Sequence, residues 1–174
     1  MFKIFMLFLI LGMFYRLNGQ PKVIEVEIPS TLDNAPQKVI IQIPPNYDPE
    51  KSFPLLVGLH TWGGNYQQQL KPLGKEAEKR GWILLLPDFR GPNIRKNPDP
   101  RKACASRYAQ QDIIDAINYV KKNYNVDTKK IYLIGASGGG FMGLMMAAKY
   151  PEIWAGISVW CSISDLRKWW EENE

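Results

Sequence analysis

The stretch from Lys130 to Tyr150 constrains the fold of this chain more than any other. An apolar run at 131–134 ends in glycine, and Ser137 follows with only glycine and alanine beside it. An apolar stretch of helical character comes next, over 138–149. A serine in so small a turn, between a strand and a helix, is typical of a nucleophile elbow, the sharp turn that presents a catalytic serine. The pattern G-x-S-x-G therefore predicts a strand–turn–helix unit and a candidate nucleophile.

The small residues around Ser137 admit two other interpretations. Gly135, Gly138 and Gly140 are spaced like a phosphate-binding loop, which usually has an acidic residue about 20 positions further on. Asp165 lies too far along the chain, beyond the end of the next predicted strand, to take that role. The other interpretation is a structural turn that lets strand and helix pack closely. The elbow is favoured because the N–H of Gly138 would lie at a helix N-terminus, where a developing oxyanion is stabilised.

Strand and helix patterns alternate along most of the chain. Two strands, at 23–28 and 39–43, are joined by turn-forming residues and are expected to pair antiparallel at a sheet edge. Four apolar runs then predict buried strands, with helices between them and after the last: strands at 54–59, 82–86, 131–134 and 154–160, and helices at 67–80, 110–124, 138–149 and 165–174. This alternation predicts an α/β fold with a mostly parallel sheet and helices on both faces.

The loop after the third strand carries a second candidate for the site. It reads His60-Thr61-Trp62-Gly63-Gly64, and an acyl-transfer enzyme needs a backbone donor from this loop. We expect the N–H of Trp62 to be that donor, with Thr61 as the alternative. His60 is the only histidine in the chain and so a tempting base, but it stands where loop-orienting histidines stand, and we expect that structural role instead.

Four motifs follow one another in the order and at the strand ends that one known fold requires: L-H-T-W-G-G at 59–64, P-D-F-R-G-P-N at 87–93, Q-D-I-I-D-A at 111–116 and G-A-S-G-G-G at 135–140. Together they resemble the α/β-hydrolase fold, and most of all its prolyl-oligopeptidase-type secreted hydrolases and esterases. The resemblance implies Ser137 as nucleophile and the N–H groups of Gly138 and Trp62 as an oxyanion hole. It also implies that Asp88 and Arg90 form the wall of the site.

In that family the acid and the histidine of the triad usually follow the seventh and eighth strands. The predicted strand at 154–160 is the sixth, so the resemblance implies that 21–174 is the N-terminal part of the domain and that later strands and helices are missing. Some members place the acid after the sixth strand, which makes Asp165 a weak candidate, although its position favours a helix N-cap. Without an acid and a base, only the oxyanion hole and binding contribute, so we expect this chain alone to be inactive or nearly so.

Residues 1–20 resemble a secretory signal peptide. Lys3 supplies a positive start, an apolar run covers 4–14, and a small-residue cleavage site precedes Gln20. That run is shorter than the roughly 20 residues that cross a bilayer. We therefore expect a secreted or periplasmic protein with no membrane association after cleavage.

The cysteines and the charge add little to these expectations. An oxidising compartment permits a disulfide between Cys104 and Cys161, but two free thiols fit equally well because spacing does not fix the distance between them. The net charge of +5 comes without a basic stripe of interleaved aromatics, which argues against nucleic acid as a partner. The pattern implies no cofactor and no metal, and it carries no signal of oligomeric state.

The elbow motif and the family resemblance together predict acyl transfer to water through a Ser137 acyl-enzyme. The substrate is a small-molecule ester, such as an acetylated or feruloylated sugar, or else a peptide. The short section before the hydrolase pattern leaves no room for a propeller, so an ester is preferred to the peptide of a prolyl-oligopeptidase-type enzyme. The alternative from another class is a truncated, non-catalytic remnant or binding protein with an aromatic pocket, lined by Trp62, Tyr66, Phe89, Trp160, Trp169 and Trp170.

Overall fold

A computed structural model describes residues 19–93 and 97–172, which form one six-stranded sheet in the spatial order β1-β2-β4-β3-β5-β6. The strands are β1 (Lys22–Pro29), β2 (Pro36–Ile43), β3 (Phe53–Leu59), β4 (Ile83–Pro87), β5 (Val126–Ala136) and β6 (Gly156–Trp160). The helices are α1 (Leu70–Arg80), α2 (Arg107–Asn123), α3 (Gly138–Lys149) and α4 (Leu166–Glu171), with short 3₁₀ turns at Pro100–Lys102 and Pro151–Ile153. β1, β2 and β4 are joined antiparallel, and β4, β3, β5 and β6 pair parallel.

The central strand β4 shows why helices cover both faces of the sheet. All of its side chains are buried, and successive ones point to opposite faces. Ile83 and Leu85 pack in the larger core with α2 and α3, whereas Leu84 and Leu86 pack in the smaller core with Ala77 of α1. A strand that is buried on both faces has a continuous apolar sequence, and the apolar run at 82–86 is the signal that predicted β4.

The predicted fold class is confirmed, and the strand and helix types agree with the sequence patterns throughout the described residues. The helix expected at 67–80 begins later, at Leu70, because Asn65 and Gln68 make local hydrogen bonds that compete with helix formation. β5 begins earlier than predicted, because Val126 already pairs with Phe53 ahead of the polar residues that hid the pattern.

Three further expectations concern the cysteines, the signal segment and the membrane. Cys104 and Cys161 are both free thiols, so the disulfide interpretation does not hold in this structure. Residues 1–18 of the expected signal segment lie outside the described residues. Within 19–93 and 97–172, no helix combines the length and the apolar character needed to cross a bilayer.

The pairing of β3 with β5 positions the candidate site. The two strands run parallel with Leu59 opposite Gly135, so their carboxyl ends lie side by side. The loop that begins at His60 and the turn at Ser137 therefore emerge from the sheet next to each other. Carboxyl ends of parallel strands are where open α/β sheets bind their ligands.

Candidate active site

Ser137 occupies a strained turn between β5 and α3. Its φ of 54° and ψ of −117° lie in a region that non-glycine residues seldom adopt, and such strain persists only where the surroundings enforce it. Its N–H donates to the carbonyl oxygen of Trp160 at 2.9 Å, which ties the turn to the end of β6. A Cβ on Gly135 would lie 2.3 Å from the carbonyl oxygen of Gly139, so only glycine fits there.

Two backbone N–H groups meet beside this turn. Gly138 begins α3, where the first N–H groups of a helix have no acceptor inside it. A Cβ on Gly138 would lie 2.6 Å from the nitrogen of Trp62, so the two peptide groups are in close proximity. No acceptor within the described part of the chain takes the N–H of Trp62. These are the two donors that the sequence predicts, and the fold brings them together next to Ser137.

His60 fixes the direction of the Trp62 N–H. Its Nδ1 lies 2.8 Å from the carbonyl oxygen of Thr61, which also accepts the N–H of Gly64 at 3.1 Å. That carbonyl belongs to the same peptide group as the Trp62 N–H, and in a planar trans peptide the two point in opposite directions. Holding the oxygen on the side of His60 therefore directs the N–H away from it.

The same contacts prevent His60 from serving as the base. Its Nε2 lies 2.7 Å from the carbonyl oxygen of Asp88, so both ring nitrogens face main-chain oxygens. The ring is 1% exposed and stacks on Phe89 with a centroid distance of 4.0 Å. It has no nitrogen available for the proton of Ser137.

Ser137 opens into a cleft of about 650 Å³ at the carboxyl ends of β5 and β6. Trp62 and the N-terminal part of α4 form its walls. The ring centroids of Trp62 and Trp169 lie 6.0 Å apart. The cleft is lined by Trp62, Ser137, Cys161, Ser162, Ile163, Ser164, Asp165, Lys168, Trp169 and Glu172. A larger cavity of about 950 Å³ lies at the opposite end of the sheet, between the loop after β2 and the end of α1, away from Ser137.

Asp165 lies in the cleft wall, but its carboxylate is used as a helix cap. Its Oδ1 accepts the N–H groups of Arg167 and Lys168, each at 3.0 Å, at the start of α4. This is the geometry of an N-cap aspartate. Among the described residues no group of three metal-binding side chains comes together.

The alpha/beta hydrolase fold family matches this chain over residues 54–171. The chain belongs to that family. The match includes both the loop of Trp62 and the elbow at Ser137, and it agrees with the six-stranded sheet described above.

Curated relatives and solved structures of this family include several esterases. The chain is 33% identical to an acetylxylan esterase of Coprinopsis cinerea, with 62% of this chain and 32% of that protein covered. It is 26% identical to feruloyl esterase B of Thermothelomyces thermophilus, with 64% and 40% covered. A ferulic acid esterase structure from Anaeromyces mucronatus superposes with a TM-score of 0.68 at 20% identity, covering 84% of this chain and 60% of that one. The match thus spans only 32% and 40% of the length of these two curated relatives.

The expectation that Asp88 and Arg90 line the site is wrong. Neither residue belongs to the cleft. The Asp88 carboxylate accepts the N–H of Tyr66 at 3.1 Å, and burial raises the pKa of this carboxyl. Arg90 turns away from the cleft because two distant carboxylates, Asp33 and Asp112, bind its guanidinium.

Arg90 binds Asp33 and Asp112 in a nearly buried ion cluster. Its Nη1 and Nη2 lie 2.9 and 2.8 Å from the two oxygens of Asp33, and its Nε lies 2.5 Å from Oδ2 of Asp112. The hydrogen bonds from Arg90 hold the pKa of Asp33 well below its ordinary value and, in return, the two carboxylates raise the pKa of Arg90. Burial raises the pKa of Asp112, and the Arg90 hydrogen bonds oppose that effect.

The aromatic pocket of the alternative hypothesis is only partly present. Trp62 and Trp169 line the cleft, whereas Tyr66 and Phe89 are buried in the two cores. Trp160 is 63% exposed at the end of β6 but is not among the lining residues. The side chain of Trp170 lies outside the described part of the structure.

Replacing Gly135 with alanine should destabilise the elbow. The new Cβ would press against the backbone of Gly139, which cannot move without shifting the start of α3. Overpacking of this kind costs roughly 1–3 kcal/mol, measurable as a fall in the urea midpoint. Gly156→Ala is the matched control, since its Cβ would meet only the Tyr132 ring at 3.5 Å. Equal stability of the two variants would contradict the close approach at the elbow.

Asp33→Asn should lower stability in a pH-dependent way. The folded-state pKa of Asp33 is depressed, so the unfolded chain binds more protons as pH falls through its ordinary value of 3.8. The free-energy advantage of the wild type over the variant should therefore be fully present at neutral pH and diminish as pH falls below 3.8. Urea unfolding across this pH range measures it, and an advantage that stays constant on acidification would contradict the ion pair.

Proposed function

We propose that Ser137 is the nucleophile of a serine esterase. The observation that carries this proposal is the convergence of a serine in a strained elbow with two backbone donors, the N–H groups of Gly138 and Trp62. Donors that are already in place where negative charge develops are usually a large part of the rate enhancement in acyl transfer. Esterase names among the curated relatives support the same reaction class.

The proposed reaction has two steps. The Oγ of Ser137 attacks the ester carbonyl carbon, a base removes its proton, and the two N–H groups stabilise the tetrahedral oxyanion. Collapse of this intermediate breaks the bond to the alcohol, which takes up the proton and leaves the acyl group on Ser137. Water then attacks the acyl-enzyme by the same path and releases the carboxylic acid.

The proposed substrates are esters of sugars with small or aromatic acids, such as acetyl or feruloyl groups. The related proteins are an acetylxylan esterase and feruloyl esterases by name, which supports this class for the whole protein. The open cleft beside Ser137, with the Trp62 and Trp169 rings in its wall, suits a planar ring better than an extended peptide. We prefer an ester over a peptide on this ground.

The general base is proposed to come from polypeptide outside these 174 residues. The sequence contains one histidine, and both ring nitrogens of that residue, His60, are engaged by carbonyl oxygens. Asp165 caps α4 and remains only a weak candidate for the acid. By itself the chain should therefore react slowly, because a serine hydroxyl is a poor nucleophile without a base. The same observation favours the second candidate function, a non-catalytic protein that retains the pocket.

A serine-reactive fluorophosphonate probe separates these two functions. On prolonged incubation, intact-mass analysis should find one adduct on the wild-type chain, and peptide mapping should place it on Ser137. Ser137→Ala should abolish the adduct, whereas Ser162→Ala, which changes another hydroxyl of the same cleft, should retain it. Labelling that persists in Ser137→Ala, or no labelling of the folded wild type, would favour the second candidate function, a non-catalytic protein.

We also propose that residues 1–20 direct export to the secreted or periplasmic space and are then removed, leaving 21–174 as hydrolase domain. In an export-competent host, the mature protein recovered outside the cytoplasm should begin near Pro21, as read by N-terminal sequencing. Leu9→Arg, which interrupts the apolar run, should keep the protein inside with its N-terminus uncleaved. Export of the variant at the wild-type level would contradict this role.

A further inference from the structure

We infer that the ion cluster of Asp33, Arg90 and Asp112 positions the oxyanion donor Trp62 through the loop that follows β4. This inference rests on the proposed function only in naming Trp62 as a donor. None of its three residues lines the cleft that contains Ser137. Its members are therefore positioning residues, and their effect on the site passes through the backbone of residues 88–93.

The loop after β4 needs an external constraint because its backbone is strained. Phe89 and Arg90 have φ values of 31° and 70°, in the left-handed region that non-glycine residues seldom occupy. Such conformations persist only when the surroundings enforce them. The Arg90 side chain is 8% exposed, and its planar fork bonds one carboxylate from the β1–β2 turn and one from α2. These bonds fix the position of Arg90 and, with it, the strained backbone.

Two contacts connect this position to the loop that carries Trp62. Asp88 presents its carbonyl oxygen to Nε2 of His60 at 2.7 Å, and Phe89 stacks on the same ring. Further along, the N–H of Asn93 donates to the carbonyl oxygen of Trp62 at 2.8 Å. The loop thus holds the peptide groups on both sides of Trp62, one through His60 and one directly.

The neighbouring side chains close this arrangement. A Cβ on Gly91 would lie 2.3 Å from Cε1 of His60, so the loop passes directly over the imidazole ring. Asn97 donates to the carbonyl oxygens of Arg90 and Pro92 at 2.8 and 2.9 Å. The side-chain oxygen Oδ1 of Asn97 in turn accepts the N–H of Asp99 in its own loop at 2.9 Å. The ion cluster therefore anchors the loop on one side, and on the other side the loop contacts His60 and Trp62.

Helix α2 offers a matched pair of variants to test this. Asp112 binds Arg90, whereas Asp115, one turn further along, binds the N–H and hydroxyl of Thr31 and does not touch Arg90. Both carboxylates are buried, and each connects α2 to another segment, Asp112 to the loop after β4 and Asp115 to the β1–β2 turn. Asp112→Asn should therefore disturb the loop at 88–93, and Asp115→Asn should not, although both remove one buried charge.

Because His60 is the only histidine, ¹⁵N-histidine labelling gives one set of imidazole signals in the whole chain. In the wild type a buried ring N–H bonded to a carbonyl oxygen should exchange slowly with water and give a resolved proton signal. We expect Asp115→Asn to keep that signal and Asp112→Asn to shift or lose it while circular dichroism shows both variants folded. Arg90→Lys, which keeps the charge but loses the two-sided fork, serves if Asp112→Asn does not fold.

A second readout connects the loop to the donor itself. The rate of fluorophosphonate labelling at Ser137 should fall about tenfold in Asp112→Asn relative to Asp115→Asn, part of the 10²–10³-fold effect of losing a whole oxyanion donor. Identical His60 signals in the two folded variants would overturn the positioning role. If the wild type is not labelled at all, the proposed esterase function fails, but the His60 signals still decide whether the ion cluster holds the loop.

Discussion

The parallel pairing of β3 with β5 is the constraint on which the rest of the site depends. With Leu59 opposite Gly135, the loop carrying Trp62 and the turn carrying Ser137 leave the sheet at the same level. The glycines after Ser137 then allow contact between them, since a Cβ on Gly139 would lie 2.6 Å from the carbonyl oxygen of His60. A one-residue shift of register would exchange the faces of the side chains and separate these groups.

The strand–turn–helix unit is predictable from sequence because its signals are local. The apolar run before Ser137, the glycines around it and the helical stretch after it fall within one short segment, and α3 has the predicted bounds of Gly138–Lys149. The contact of Trp62 with Gly138 was also predictable, but through a resemblance to a family rather than through local pattern. Its physical basis is the strand order, which residue periodicity alone does not fix.

The ion cluster was not predictable, and Arg90 was misplaced for that reason. Its partners, Asp33 and Asp112, are 57 and 22 residues away in the chain, and no periodicity connects a turn, a loop and a helix. A charged residue after a buried strand is compatible with a site wall or with a structural ion pair. What decides between them is the burial of Arg90 between two carboxylates, and breaking such a pair on one side leaves an unpaired buried charge.

The central proposal is that Ser137 is a nucleophile, that the N–H groups of Gly138 and Trp62 are its oxyanion donors, and that His60 does not supply the base. Chemical rescue tests this most directly, because added imidazole can act as the missing base. The rate of fluorophosphonate labelling at Ser137 should be slow in buffer and rise in proportion to the imidazole concentration, with no labelling of Ser137→Ala. A rate that is already fast without imidazole, or that imidazole leaves unchanged, would contradict it.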